Sequence, residues 1–272
     1  MTDNLRAPVP DLRIVPAESL HAHESHDSQR SLPLMERLRR DEYIINPPVV
    51  APIDEQSFVI LDGANRCHAL RALGFPHLPV QVVDWDSGQI QLDTWNHIVS
   101  NWTETDLLDG LAELPDLTME DNSDGQPVAS LLLTDGTRMN LMAGDQDPHS
   151  RNALLCQIVA VYQRNAVLYR SVLEKLSQAR EHFPEMVALL RFPRVTFRDI
   201  VTAAREKAWI PPGVSRHIIS GRALKINYPV RHLVEDGRSS GQKNEDMQKW
   251  LRRKLARREV RFYAESTYQF DE

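Results

Sequence analysis

One short segment combines a carboxylate, a glycine turn and an arginine at a spacing suited to phosphate binding. Asp62 and Gly63 follow the apolar run Phe58–Leu61, and Arg66 lies in the first turn of the helix predicted to follow. The first backbone N–H groups of a helix lack partners, and the helix dipole favours negative charge there. A cation such as Arg66 is unfavourable at that end unless an anion offsets it. The segment therefore predicts a nucleotide-phosphate site, where Asp62 could hold Mg²⁺ and Arg66 could pair with a phosphate oxygen.

The same residues also have structural explanations that the sequence leaves open. An Asp-Gly turn between a strand and a helix often only reverses the chain. Asn65 could orient a phosphate, or it could cap the helix. His68 could contact a nucleotide base, although a surface histidine is the commoner case. Cys67 is expected to fill buried space.

A histidine-rich loop supplies a candidate general base. His21, His23 and His26 surround Glu24, but their spacing suits no standard metal cage and no second cluster completes one. Phosphoryl transfer to an alcohol needs in-line positioning and a carboxylate that accepts the hydroxyl proton. Glu24 is therefore the candidate for that role.

The segment from Gly213 to Arg222 could bind a small carboxylate. Ser215, Arg216 and His217 lie within it, and Arg222 ends it. Arginine forks match carboxylate geometry, and the alternative is that these are ordinary surface residues.

A third segment, Asp93–His97, adds an aromatic residue and a histidine. Trp95 could wall a small pocket and His97 could donate a hydrogen bond to a substrate. The alternative is a partly buried aromatic beside a surface histidine.

Composition indicates a globular protein without a membrane span. The 272 residues are 42% hydrophobic and carry a net charge of −6, so the whole molecule is not expected to bind polyanions by bulk charge. No apolar run approaches the length of about 18 residues that a membrane span requires. Met1–Pro10 lacks the apolar core of a signal peptide. The two cysteines, Cys67 and Cys156, suggest reduced thiols in a cytoplasmic protein.

Charge is distributed unevenly along the chain. The segment 101–147 holds eleven acidic residues and a single arginine, Arg138, which is typical of a solvated surface. The segment 249–261 holds seven basic residues interleaved with leucines. It could contact nucleic acid phosphates, but an amphipathic helix with a solvated face is the simpler interpretation.

The elements that must position these residues form a mixed pattern. We expect a compact α+β unit over residues 1–100 and a helical and β-hairpin domain over 101–272 that completes the substrate pocket. The predicted strands are Leu12–Pro16, Val49–Ala51, Phe58–Leu61, Pro79–Val83, Val128–Thr134, Thr137–Met142, Val214–Ile219 and Arg222–Ile226. The second and third of these are expected to form one hairpin, and the fifth and sixth another with Asp135-Gly136 at its turn. The predicted helices are Leu34–Tyr43, the one after Gly63, Asn152–Arg180, Thr196–Lys207 and Glu245–Glu259.

Two segments together resemble the nucleotide-binding core of the ParB/sulfiredoxin superfamily. They are Val59–Leu70, which includes the glycine turn, and Leu78–Val82. Within that superfamily the chain is most similar to the free L-serine kinases, in particular those of siderophore biosynthesis, nearly end to end. The most specific part of the likeness, Pro212–Leu224, lies outside the common core. The likeness also includes Leu12–Pro16, the pair His23-Glu24, and Asp93–His97.

The resemblance implies a kinase that uses ATP or ADP with Mg²⁺ to phosphorylate the hydroxyl of free L-serine, giving O-phospho-L-serine. It implies that Glu24 is the catalytic base and that Asp62 is the acidic, metal-binding residue of the phosphate turn. Both carboxylates must then serve the same phosphoryl group. The nucleotide-binding positions fall on Gly63, Ala64, Asn65, Arg66 and His68, and the predicted substrate-binding positions on Trp95, His97, Ser215, Arg216, His217 and Arg222.

A second class of function remains open, a ParB-like nucleotide-dependent DNA-binding regulator. It would need a recognisable helix-turn-helix after the core, and none is found in the sequence. The acidic segment 101–147 also argues against a nucleic acid partner, because it would repel phosphates. The sequence gives no oligomeric state.

Overall fold

The structure is a computed structural model of the chain, and it describes residues 9–25, 28–40, 42–121, 125–234 and 236–263. Of the residues discussed above, His26 of the histidine-rich loop, residues 1–8 of the N-terminal segment and residues 122–124 of the acidic segment lie outside these ranges. Among the helices described, none combines the length and the apolar character needed to cross a membrane.

Across these ranges the chain forms fifteen strands, seven α-helices and three short 3-10 helices. The strands are β1 (Asp11–Pro16), β2 (Leu20–Ala22), β3 (Tyr43–Ile44), β4 (Val49–Pro52), β5 (Phe58–Asp62), β6 (His77–Val82), β7 (Ile90–Thr94), β8 (Asn96–Ser100), β9 (Leu117–Glu120), β10 (Ala129–Leu133), β11 (Arg138–Ala143), β12 (Val167–Ser171), β13 (Met186–Arg191), β14 (Ser215–Ile219) and β15 (Tyr228–Pro229). The α-helices are α1 (Ser28–Arg40), α2 (Ala64–Ala72), α3 (Glu104–Ala112), α4 (Pro148–Gln163), α5 (Leu176–His182), α6 (Phe197–Glu206) and α7 (Ser240–Ala256).

The chain folds into two compact units, and neither is continuous in sequence. Unit 1 contains the described residues within Met1–His21, His26–Gln91 and Ile219–Glu272, and unit 2 contains Ala22–Ser25 and Leu92–Ile218. This division differs from a single boundary near residue 100. The physical reason is that α7 returns near the C-terminus to pack on β1, and so joins the last segment of the chain to the first.

Unit 1 is built on a five-stranded sheet in the order β1-β6-β4-β5-β2. Strand β4 pairs antiparallel with β5 and parallel with β6, so the predicted hairpin and the strand–helix–strand segment after it are confirmed. In β1, Leu12 and Ile14 are buried while Arg13 between them is exposed, which is the alternation of a strand with one covered face.

Unit 2 is built on a six-stranded sheet in the order β12-β8-β13-β10-β11-β9. Strands β10 and β11 form the predicted hairpin around Asp135-Gly136, which is therefore confirmed. All five residues of β8 are buried, because β8 is flanked by strands on both sides and packed on both faces. Helix α4 contributes Ile158 and Tyr162 to the core of this unit.

The prediction of one long helix over Asn152–Arg180 is wrong. Helix α4 ends at Gln163, and the chain continues as β12 and then α5. The apolar residues of β12 fit a helical stripe by spacing, but β-branched and aromatic residues such as Val167 and Tyr169 also favour strands. Pairing with β8, in which Val167 lies opposite Ser100, decides between the two.

The predicted strand over Arg222–Ile226 is also wrong, because this segment has no regular structure. Lys225 and Asn227 have φ values of 52° and 51°, in the left-handed region that an extended strand cannot contain. The last helix begins at Ser240 rather than Glu245, since Ser239 and Gln242 form a capping box. The predicted helix α6, with Thr196 as its N-cap, is confirmed.

Candidate active site

The first group of candidate residues lies at the turn between β5 and α2 in unit 1. Gly63 is the N-cap of α2 and has φ 93° and ψ 28°, a conformation that is costly for any residue with a side chain. A Cβ atom built on Gly63 would lie 2.9 Å from Nη2 of Arg66. Glycine is therefore needed here both for its backbone angles and to let the Arg66 guanidinium lie against the turn.

Arg66 folds back over this turn instead of pointing along the helix. Its Nη2 donates to Oδ2 of Asp62 at 2.7 Å, and its Nη1 donates to the carbonyl of Asn46 at 2.6 Å. The carboxylate of Asp62 is therefore an anion within the protein that offsets the charge of Arg66 at this end of the helix. The pair is partly open to solvent, since the two side chains are 24% and 39% exposed.

A second arginine, Arg222, reaches the same carboxylate oxygen. Its Nη2 donates to Oδ2 of Asp62. A buried glutamine of β6, Gln81, holds the backbone on either side of it: Nε2 donates to the carbonyl of Gly221 at 2.9 Å, and Oε1 accepts from the N–H of Ala223 at 2.8 Å. Arg222 is therefore positioned by the sheet although it lies in an irregular segment.

We name Asp62, Arg66 and Arg222 the Asp62 cluster. Two guanidinium groups face one carboxylate, so the cluster carries a net positive charge at the N-terminus of a helix, where the dipole also favours an anion. Over the described residues, no group of three or more His, Cys, Asp or Glu side chains is arranged to hold a metal ion.

The remaining residues of the predicted phosphate turn lie in the first two turns of α2. Ala64, Asn65 and His68 are half-buried there. Cys67 is buried, and burial raises the pKa of its thiol to about 12. Cys67 is therefore protonated at neutral pH and fills space, as the sequence suggested.

The second group of candidate residues lies in unit 2, around a turn that leads into β14. Gly213 has φ 84° and is buried, and the guanidinium of Arg170 occupies the position that a Cβ atom would take. The next residue, Val214, accepts a hydrogen bond on its carbonyl from the N–H of Trp95 at 2.9 Å. We name residues 211–214 the Gly213 turn.

Ser215, the first residue of β14, is joined to the segment that contains Glu24. Nε2 of His23 lies 2.9 Å from Oγ of Ser215, and both side chains are buried. The rings of His23 and His217 meet edge to face at 5.0 Å between centroids. Glu24 forms an isolated parallel bridge with Ile210, so its backbone lies beside the segment that leads into the Gly213 turn.

Arg216 is held between a carboxylate and an aromatic ring. Its Nη1 donates to Oδ2 of Asp93 at 2.8 Å, and its guanidinium carbon lies 4.5 Å from the ring centroid of Trp95. This stacking orients the planar group and leaves further N–H donors for a ligand.

His97 is completely buried beneath the same turn. Its Nε2 lies 2.9 Å from the carbonyl of Gly213, and its Nδ1 lies 2.7 Å from Oη of Tyr162. Burial lowers the pKa of His97 to about 4, and the positive charge of Arg170 adds to that effect. The imidazole is neutral at physiological pH.

The structure thus gathers the predicted site residues into two groups. Unit 1 holds the phosphate-turn residues together with Arg222. Unit 2 holds Glu24, Trp95, His97, Ser215, Arg216 and His217. Sequence reasoning did not assign roles to Gln81 or Tyr162. A glutamine between valines in β6 was a signal of a buried hydrogen bond, whereas Tyr162 gave no signal distinct from a core aromatic.

No family model matches the chain, but individual proteins do. The ATP-dependent L-serine kinase SbnI of Staphylococcus aureus is 24% identical over 231 residues, which are 83% of this chain and 85% of that protein. The structure of SbnI with a C-terminal truncation matches with a TM-score of 0.73 and 21% identity, covering 90% of this chain and 97% of that one.

Two further proteins extend the comparison. A free serine kinase in complex with AMP matches with a TM-score of 0.70 and 15% identity, covering 86% of this chain and 98% of that one. A ParB-like protein of Sulfolobus acidocaldarius is 36% identical over 66 residues, 24% of this chain and 31% of that protein. The chain therefore has the fold of these kinases, and both the α+β class and the resemblance predicted from the sequence are confirmed.

Proposed function

We propose that this chain is a kinase that transfers the terminal phosphoryl group of ATP to the side-chain hydroxyl of free L-serine. The observation that carries the proposal is the Asp62 cluster, where two arginines converge on one carboxylate at the start of a helix. Its net positive charge suits phosphate oxygens. The names of the relatives support serine as the acceptor and ATP as the donor.

The nucleotide end of the reaction is assigned to unit 1. Backbone N–H groups of Ala64 and Asn65 lie in the first turn of α2, where a phosphate can accept from them. Arg66 and Arg222 supply charge, and His68, one turn further, contacts the nucleotide. The sequence placed Arg222 in the serine pocket, but its ion pair with Asp62 favours a role at the phosphates.

The serine end of the reaction is assigned to unit 2. Arg216 takes the carboxylate of serine with the N–H donors that Asp93 does not use, and Trp95 walls the pocket against which the guanidinium stacks. Ser215 and His217 supply further polar contacts from β14. A single fixed guanidinium selects for a free α-carboxylate, and therefore for free serine over a serine residue in a peptide.

Glu24 is assigned the role of general base. As serine attacks the terminal phosphorus, a new O–P bond forms, the bond to the leaving nucleotide oxygen breaks, and the hydroxyl proton passes to the carboxylate of Glu24. The products are O-phospho-L-serine and the nucleotide shortened by one phosphate. The bridge between Glu24 and Ile210 fixes the backbone that carries the base.

Mg²⁺ is expected to accompany the nucleotide. In phosphoryl-transfer sites this ion is typically held by one or two carboxylates together with phosphate oxygens and water. Asp62 fits as the protein ligand, because its carboxylate lies at the phosphate turn and has a second oxygen besides the one that the arginines engage. When bound, the metal offsets negative charge on the phosphates.

We propose two finer expectations together with the activity. The kinase acts in the cytoplasm, and its phosphoserine is consumed in siderophore biosynthesis. The first expectation rests on the two cysteines, Cys67 and Cys156, and the second on the family likeness.

The proposed activity is tested by incubating the protein with Mg²⁺, ATP or ADP in parallel, and a panel of free amino acids. Mass spectrometry is expected to show O-phosphoserine from L-serine with ATP, and no product from O-methyl-L-serine, which lacks the hydroxyl. No phosphorylated amino acid with either nucleotide would reject the kinase. Duplex DNA binding that weakens steeply with salt, in the absence of turnover, would favour the regulator instead.

A further inference from the structure

A buried chain of hydrogen bonds links the core of unit 2 to the Gly213 turn. It runs from Tyr162 of α4 through His97 of β8 to the carbonyl of Gly213. Neither Tyr162 nor His97 is exposed to solvent. The ring of Phe192 packs edge to face on that of His97, with 4.9 Å between centroids.

The hydrogen-bonding capacity of the Gly213 carbonyl and of the Tyr162 hydroxyl determines which nitrogen of His97 carries the proton. A backbone carbonyl can only accept, so Nε2 of His97 carries the hydrogen that is donated to Gly213. Because the imidazole is neutral, Nδ1 is then an acceptor, and the hydroxyl of Tyr162 must donate to it. The Gly213 carbonyl thus selects the Nε2–H tautomer of His97, and Tyr162 supports that tautomer by donating to Nδ1.

The turn that His97 holds leads directly into the proposed serine pocket. Val214 receives the N–H of Trp95, Ser215 is bonded to His23, and Arg216 stacks on Trp95. All of these contacts follow within three residues of Gly213. A shift of the Gly213 carbonyl therefore moves the backbone on which the carboxylate-binding arginine is mounted.

We propose that His97 and Tyr162 are positioning residues that fix the Gly213 turn and thereby set the affinity of the site for its amino-acid substrate. This assignment rests on the proposed function. It replaces direct contact between His97 and substrate with an action through Gly213, since both ring nitrogens are already engaged inside the unit.

Substitutions of His97 that differ in reach test the proposal. Glutamine places its amide near the position of Nε2 and can still donate to Gly213, whereas asparagine is too short to do so. We expect His97→Asn to raise the KM for serine about tenfold, as for loss of one buried hydrogen bond, with kcat and the KM for ATP within about twofold. His97→Gln should restore most of the serine KM.

Tyr162→Phe tests the hydrogen bond between Tyr162 and His97, because it removes the hydroxyl and preserves the aromatic ring. It should raise the KM for serine about threefold and leave the KM for ATP unchanged. Phe192→Leu is the matched control, because it removes an aromatic contact with His97 without touching a hydrogen bond. It should lower thermal stability and leave both KM values unchanged. Equal increases in the two KM values for His97→Asn, or no increase in either, would overturn the proposal.

Two measurements judge the hydrogen-bond chain independently of kinase activity. Imidazole nitrogen NMR should show His97 as the neutral Nε2–H form, with an Nδ1 shift that changes in Tyr162→Phe. Amide exchange of Trp95, which donates to Val214, should accelerate in His97→Asn but not in His97→Gln. An Nδ1–H tautomer would overturn the proposal. If the wild-type protein makes no phosphoserine, the proposed function fails, and these two measurements decide whether the turn is held as described.

Discussion

The Asp62 cluster and the Gly213 turn share local structural features but differ in charge and in exposure to solvent. Gly63 lies beside the first and Gly213 within the second; both glycines have positive φ, and an arginine guanidinium lies against the position that a Cβ atom on each would take. Each is also secured by a buried polar side chain, Gln81 in unit 1 and His97 in unit 2. The Asp62 cluster presents partly exposed charges, whereas the Gly213 turn is held by hydrogen bonds between the buried neutral side chains of His97 and Tyr162.

This difference separates two tasks. Ion pairs whose side chains are 24% to 39% exposed contribute little to folding because water and salt screen them, so we propose that the charges of the Asp62 cluster serve ligand binding. Buried neutral hydrogen bonds are not screened, and leaving one unmade is costly. The Gly213 turn is therefore suited to fixing geometry. Four predictions test this contrast, beginning with the largest expected effect.

Glu24→Ala should lower kcat by at least about a hundredfold, since a positioned base typically contributes 10²–10⁴ in rate. ATP binding, measured by calorimetry, should be unchanged because the nucleotide is assigned to unit 1. Glu18→Ala, at an exposed glutamate nearby in sequence, is the matched control and should retain full turnover. Near-normal turnover in Glu24→Ala would remove this residue from the mechanism.

The buried imidazole makes folding stability sensitive to acid. The pKa of His97 is about 4 in the folded protein and about 6.5 when unfolded, so between these values only the unfolded state binds the proton. The contribution of His97 therefore lowers the free energy of unfolding by roughly 3 kcal/mol as pH falls from about 6.5 to about 4.

Denaturant titrations of the wild type and His97→Gln across this pH range measure that contribution. Glutamine does not titrate, so the stability of the wild type relative to His97→Gln should fall as the pH is lowered and level off below about pH 4. A constant difference would mean that His97 is accessible to protons in the folded protein, contrary to its burial.

Alanine at either glycine should cost about 1–3 kcal/mol of stability, because each adopts a left-handed conformation. The functional effects should separate: Gly63→Ala should raise the KM for ATP, and Gly213→Ala the KM for serine. Gly74→Ala is the control for backbone strain alone, since Gly74 has φ 82° and a Cβ atom added there would meet no neighbouring atom. If Gly63→Ala and Gly213→Ala each raised the KM for ATP and the KM for serine equally, the two turns would not serve separate substrates.

Arg222→Gln should give the smallest effect, about a tenfold rise in the KM for ATP from loss of one charged hydrogen bond. The KM for serine should stay near its wild-type value. Arg216→Gln is the mirror-image variant and should raise the KM for serine alone. If Arg222→Gln instead raises only the KM for serine, then Arg222 belongs to the serine pocket, as the sequence first suggested.

Much of the fold could be predicted from local patterns. The strand before Asp62, the glycine turn and the helix after it follow from apolar periodicity and turn chemistry, and so does the hairpin at Asp135-Gly136. The errors arose where a local pattern fits two structures. The segment after Gln163 has residues that suit a helix or a strand, and pairing with β8 decided.

The candidate site divides in the same way. The residue types at Asp62, Arg66 and Arg216 mark them as candidate binding groups, because the charge of a side chain does not depend on distant partners. The roles of Gln81 and Tyr162 do depend on such partners, which lie more than sixty residues away in sequence. No local pattern reports contacts at that separation.

The sequence by itself determined which candidate chemical groups are present. They are a strand–glycine–helix turn suited to phosphate, arginines suited to anions and a glutamate able to accept a proton. Tertiary structure alone decided which arginine meets which carboxylate, Arg222 with Asp62 and Arg216 with Asp93. It also decided that His97 is enclosed between Tyr162 and Gly213. The physical reason is that charge and turn preference belong to single residues, whereas burial and hydrogen-bond pairing exist only once distant segments have packed together.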